Sequence, residues 1–200
     1  LAFNQVKIDL LVELLSDSGL LLAKWRSLLG TLNPRGQLGA VTVGRTAGDY
    51  FVGAELRNFS VDRWRGVPGV RGLDGQLELR GERAVLQLAD DDGLQLLLAP
   101  SYQEYIGTDS AAGLITAEWS QATKQFAIAG ERLAASALGG NAEVDFYSWR
   151  SDASSRADSL LELRISAAGL RGASWPSYLP ATLPERLTDW LSGALQQPAI

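Results

Sequence analysis

The sequence predicts a mainly β protein: one long, curved antiparallel sheet, with amphipathic helices near both ends. Three observations carry this. Between Gln37 and Gly169 apolar and polar residues alternate in short runs separated by turn residues, the period of half-buried strands. At both ends the apolar spacing changes to that of a helix. About ten alternating runs follow one another, more than a small two-layer domain holds, which favours an extended sheet.

Taken in order, residues 1–7 alternate weakly, as the end of a strand does. Apolar residues at 8, 11, 12 and 15 have a helical period, and Ser18 is placed to cap a second helix with the stripe Leu21, Trp25, Leu28, Leu29 and Leu32. Asn33-Pro34-Arg35-Gly36 ends it, because proline disfavours a helical residue before it and glycine permits a sharp exit. From Gln37 the period becomes two: Leu38, Ala40 and Thr42, or Val41 and Val43, then Tyr50, Val52, Ala54 and Leu56 give two strands joined around 44–49. Glycines at 66, 69, 72 and 75 with Pro68 predict an irregular crossing over 64–75.

Strands resume at 76–80 and 84–89, and Asp90-Asp91-Asp92-Gly93 reads as a hairpin turn into 94–98. Further strands fit 113–120, 125–130, 132–138, 141–149 and 159–167. Near the end, Thr182-Leu183-Pro184-Glu185 has capping-box spacing, and Leu187, Trp190, Leu191, Ala194 and Leu195 share one helical face. The domain reading is a helical hairpin over 1–36, a β-groove over 37–180 and an amphipathic helix over 181–200 leading to a further module. With no methionine and no charged leader with a cleavage site, the chain reads as a piece of a longer protein.

Composition removes several functions. With 18 basic and 23 acidic residues and a net charge of −5, there is no cationic reserve for neutralising phosphates along a duplex, so no nucleic-acid partner is expected. The absence of histidine and cysteine excludes Ser-His-Asp and Cys-His catalysis, thiol chemistry, disulfides and the usual zinc sites within this segment. There is no phosphate-cradling G-x-x-x-x-G-K-[ST] and no G-x-G-x-x-G. Charges at Glu13, Asp17 and Lys24 break the Leu-rich beginning before it reaches the roughly 18–20 residues of a spanning helix.

Some acidic constellations remain. Three adjacent aspartates do not have the alternating ligand spacing of a calcium loop and read as a solvated hairpin tip. Glu118 with Glu143 or Asp145 is a formal pair for glycoside chemistry, but their strand positions place them on an outer, exposed face. Asn58-Phe59-Ser60 has the form of a glycosylation sequon. Trp25 and Trp190 belong to helix faces, and Trp64, Trp119, Trp149 and Trp175 to strand ends or crossings, where they plug the sheet. No enzyme, metal or cofactor is expected.

What remains is the apolar side of the sheet. Leu77 and Leu79, Leu86 and Leu88, Leu94, Leu96 and Leu98, Ile115 and Ala117, Phe126 and Ile128, Val144 and Phe146, and Leu161, Leu163 and Ile165 fall on one side if the hairpin registers follow the pattern. The expected helices cover only the ends. Either the sheet closes as a sandwich, making a scaffold or interaction module, or its concave face stays open as a trough; periodicity allows both.

One segment has a more particular likeness. Phe59-Ser60-Val61-x-x-Trp64-x-x-Val67-Pro68-Gly69-Val70-x-Gly72-Leu73-x-Gly75-x-Leu77 resembles a segment of the YhdP proteins, members of the AsmA-like group that also contains TamB. Leu32-Asn33-Pro34-Arg35-Gly36-x-Leu38, Gly113-Leu114-Ile115-x-x-x-Trp119 and Tyr178-Leu179-Pro180-x-x-Leu183-Pro184-x-x-Leu187-x-x-Trp190-Leu191 agree with the same family in the same order. The resemblance implies a Gram-negative envelope protein, anchored in the inner membrane by a segment not present here and reaching through the periplasm. It further implies a folded-over, taco-like sheet whose hydrophobic groove shields phospholipid acyl chains between inner and outer membranes; the sixteen residues named above, taken from the alternation, are the ones expected to line it.

Overall fold

The computed structural model describes residues 2–3, 6–10, 30–46, 49–63, 68–98, 102–120, 122–137, 139–151, 159–169 and 183–196. The strands are β1 (Ala2–Phe3), β2 (Val6–Lys7), β3 (Arg35–Thr46), β4 (Asp49–Val61), β5 (Gly69–Arg80), β6 (Arg83–Asp90), β7 (Gln95–Leu97), β8 (Ile106–Gly107), β9 (Ser110–Ser120), β10 (Gln125–Ala137), β11 (Gly140–Ser151) and β12 (Ser159–Ala168). Helix α1 spans Glu185–Gln196. All the strands join one 12-stranded sheet in the order β1-β3-β4-β5-β6-β9-β10-β11-β12, with β2 on β3, and β7 between β5 and β8. Every pairing is antiparallel. Its two ends do not pair, so the sheet stays open rather than closing into a barrel.

Three local expectations change. Asp90-Asp91-Asp92-Gly93 is not a hairpin turn: β6 pairs with the second half of β5 and β7 with its first three residues, so the aspartates form a jog within one strand path. β8 and β9 retrace that path, pairing with β7 and β6 respectively. The 64–75 segment is not a free crossing either, because from Gly69 onward it is strand β5. Likewise 125–130 and 132–138 are one strand, β10, whose register shifts between Gly130 and Leu133.

These irregularities line up. Residues with positive φ occur at Asn58 in β4 (48°), Gly72 in β5 (73°), Gly93 after β6 (85°), Gly113 in β9 (146°) and Arg132 in β10 (49°). Each bulge adds bend and twist to its strand, and bulges side by side crease the whole sheet. A carboxylate on the adjacent strand closes most of them. The Asn58 amide donates to Asp74 Oδ1 at 2.5 Å, the Asp74 amide to Asp90 Oδ2 at 3.0 Å, and the Arg132 amide to Asp145 Oδ1 at 2.8 Å. The Gly93 amide donates to the other Asp90 oxygen at 2.6 Å. Asp90 is only 2% exposed, so its carboxylate is satisfied by backbone donors inside the fold.

The crease determines where the core lies. Leu56, Leu73, Leu88, Leu94 and Ala111 are buried together, with Leu38, Phe59, Val70, Leu77, Leu86, Leu96 and Ala135 packed against them. Leu77 and Leu86 lie on one side of the crease, and Val70, Leu94 and Leu96 on the other. Residues from both sides touch, so the sheet folds toward this face. Gly113 is held at the crease: a Cβ there would lie 2.8 Å from the Arg132 carbonyl oxygen, at a φ that side chains rarely adopt. Gly113→Ala is therefore expected to destabilise the fold by about 2–3 kcal/mol, read from the midpoint of chemical unfolding.

Candidate functional site

Directly paired residues of neighbouring strands point to the same side of a sheet, so the registers sort the side chains. Leu77 pairs with Leu86, Leu86 with Ile115, and Ile115 with Gly130. Leu79, Ala84, Ala117 and Ile128 form the next rung, and Trp119 opposes Phe126 beyond it. Gly130 pairs with Phe146 and Phe146 with Leu163, while Leu133, Val144 and Ile165 form the rung alongside. Ile128 continues through Ser148 to Leu161. Thus Leu77, Leu79, Leu86, Leu88, Ile115, Ala117, Phe126, Ile128, Val144, Phe146, Leu161, Leu163 and Ile165 share the inner, creased face. Leu94 and Leu96 sit in the packed core beyond the crease, and Leu98 is exposed beyond the end of β7.

Most of the charge lies on the other side. From Gly75 to the end of β12, Glu78, Arg80, Arg83, Glu118, Glu131, Glu143, Asp145, Glu162 and Arg164 all fall on the outer face. Some are paired there, Arg80 with Glu78 at 3.2 Å and Arg83 with Glu118 at 3.5 Å. A shallow outer depression is lined by Thr42, Glu55, Gln76, Glu78, Val85, Gln87 and Leu114. Both of its carboxylates bind neighbouring arginines, since Arg57 also donates to Glu55 at 2.8 Å.

Exposure of the inner face changes across the sheet. Around β4, β5 and β6 the crease buries it; the rungs through β9 and β11 are half-buried; at β12 it is open. Leu161, Leu163 and Ile165 are 69%, 58% and 61% exposed. Together they make a contiguous exposed apolar patch on one side of the strand. The choice between closed core and open trough therefore resolves by position: a packed seam along the crease, and an open apolar wall from it to β12.

The alternative chemistries lose their geometry. Glu118 lies opposite Ala127 and Glu143 opposite Ala134 on β10, a separation of roughly 20 Å along the strands, well beyond a glycosidase pair. Asp145 accepts the Arg132 amide instead. Asp90 is committed to backbone amides, and no metal-holding cluster occurs among the described residues. Asn58 sits inside β4 with its own amide bound to Asp74, a strand setting rather than a loop.

Helix α1 starts at Glu185, within the 181–200 segment expected to be helical, and the Leu187 amide donates to the Pro184 carbonyl at 2.9 Å. Its Trp190 is 66% exposed, so the apolar stripe predicted for this helix is not packed on the sheet at that position. Residues 8–10 and 30–32 are helical, as expected at the ends of the first two helices. The bodies of those helices, with Trp25, Trp64, Trp175 and Tyr178-Leu179-Pro180 of the last motif, lie outside the described residues. Residues 2–3 and 6–7 pair with β3, in keeping with the weak strand alternation over 1–7. Sequence reasoning also missed Leu133, Ala135 and Arg150 on the inner face; the Gly130-Glu131-Arg132 bulge shifts the parity of β10 and conceals the first two.

An open, creased antiparallel sheet with one apolar wall and one charged wall defines a trough-forming protein. The model of the YhdP protein family matches residues 1–200, and the chain belongs to that family. No curated protein and no solved structure matches it significantly. Membership is consistent with an AsmA-like lipid-transport protein of the cell envelope, and with a family that has no known enzymatic activity. Among the described residues no helix is long and apolar enough to cross a membrane.

Proposed function

We propose that this chain is a segment of a bridge-like conduit that shields phospholipid acyl chains along its inner face. In this reading the protein works in the periplasm of a Gram-negative envelope, tethered to the inner membrane and passing lipid between inner and outer membranes. The single observation that carries it is the run of uncharged rungs from Leu77 to Leu163, ending in the open wall of β12. An acyl chain of about 16 carbons exposed to water costs on the order of 12 kcal/mol at roughly 0.8 kcal/mol per methylene, so its path needs continuous apolar lining. Leucine, isoleucine, valine, phenylalanine and alanine meet that need without a deep pocket that would trap the cargo. Head groups ride in water at the open side.

Photocrosslinking in cells tests this. A photoreactive residue at Ile128, Phe146 or Leu163 is expected to capture phospholipid, and the same residue at Glu118 or Glu143 to give background only. Equal labelling on both faces, or none on either, rejects the conduit in favour of an envelope scaffold.

A further inference from the structure

Among the described residues from Gly75 to the end of β12 that the pairings assign to the inner face, the charged ones are Asp90 and Arg150. Asp90 is buried and bonded to backbone amides. Arg150 is different. Its partners across the ladder are Phe126 on β10 and Ser159 on β12, which puts the guanidinium-bearing residue on the apolar side, while its neighbour Trp149 faces outward against Ala127 and Leu160. It is exposed, and no described carboxylate forms an ion pair with it. The acidic residues of β11 and β12, Glu143, Asp145 and Glu162, are all on the opposite face.

Resting on the conduit reading, we propose that Arg150 is a head-group contact that binds the phosphate of a phospholipid whose tail lies on the β11–β12 wall. The inner face near Arg150 offers positive charge at one end only. Beyond it, Leu161, Leu163 and Ile165 continue along β12 from Ser159, a track of roughly 20 Å at the strand rise of about 3.3 Å per residue. That length accommodates one leaflet's depth of hydrocarbon, about 15 Å, half of a typical bilayer core. A guanidinium offers paired donors to phosphate oxygens, and Ser148 shares its face and adds a hydroxyl. The arrangement is amphipathic in the same sense as the lipid: an anionic head meets the cation, and the tail meets the leucines. It distinguishes lipids that carry a phosphate from those that do not.

Binding by the intact protein to phosphatidylglycerol, and to diacylglycerol with identical tails, tests this. Arg150→Gln is expected to weaken phosphatidylglycerol binding about tenfold and leave diacylglycerol unchanged, with Arg150→Lys between the two. Leu163→Asp is expected to lower both. If Arg150→Gln alters neither lipid, or weakens both equally, the head-group contact is wrong while the conduit stands on the Leu163→Asp result. If inorganic phosphate displaces phosphatidylglycerol at the lipid's own affinity, the site takes the free anion and the proposal is overturned. If Leu163→Asp changes neither lipid, or neither binds the parent protein, the conduit reading falls and this proposal with it. Unchanged thermal unfolding of Arg150→Gln and Arg150→Lys ties any difference to the site.

Discussion

Asp90→Ala is expected to destabilise the fold by about 2–6 kcal/mol, because it strips the acceptor from two amides in the crease and each buried donor left unsatisfied costs about 1–3 kcal/mol. The Asp74 and Gly93 amides, bound at 3.0 Å and 2.6 Å, have their bonds in the part-buried interior of the sheet. Asp90→Asn keeps one acceptor oxygen and is expected to lose about half as much. Asp91 and Asp92 are exposed in the same run, and their alanine variants are expected to stay within about 0.5 kcal/mol of the parent. Equilibrium chemical denaturation measures the series. Equal stability of all three alanine variants would show that the crease is held by side-chain packing and not by its carboxylates.

Leu163→Asp carries the largest functional effect. Leu163 is 58% exposed on the inner face, so the substitution removes little packing and is expected to change stability by less than about 1 kcal/mol. A lipid tail passing there must displace water from the new carboxylate, and transfer between donor and acceptor vesicles by the intact protein is expected to fall at least about tenfold. Glu162→Ala, on the outer face of the same strand, is expected to transfer at the parent rate. Comparable losses in both variants would detach transfer from the inner wall.

Much of this architecture is legible in the residue pattern. The alternation at Leu77, Leu86, Ile115, Ile128 and Phe146 identifies both the strands and the face they share, because a period of two sends every second side chain to the same side of a strand and scatters them around a helix. The crease is not legible. Gly69, Gly72 and Gly75 read as a loop because glycine weakens an isolated strand, whereas here β4, β6 and β7 supply the pairing. Asp90-Asp91-Asp92-Gly93 has the composition of a hairpin tip, and only the pairing of both β6 and β7 with the same strand, β5, makes it a jog. The register shift at Glu131 and Arg132 leaves no composition signal except a charged pair inside an apolar strand. Arg150 has the look of a strand's natural end; its meaning depends on which neighbour it opposes.

The bonds from Asp74, Asp90 and Asp145 to main-chain amides tie β4 to β5, β5 to β6 and β10 to β11 with short, directional links. The gauge of the crease is thereby written into the polypeptide itself. On the proposed conduit reading such a vessel would have no power stroke, and its throughput would follow the difference in supply between its two ends, as flow in a gutter follows its slope.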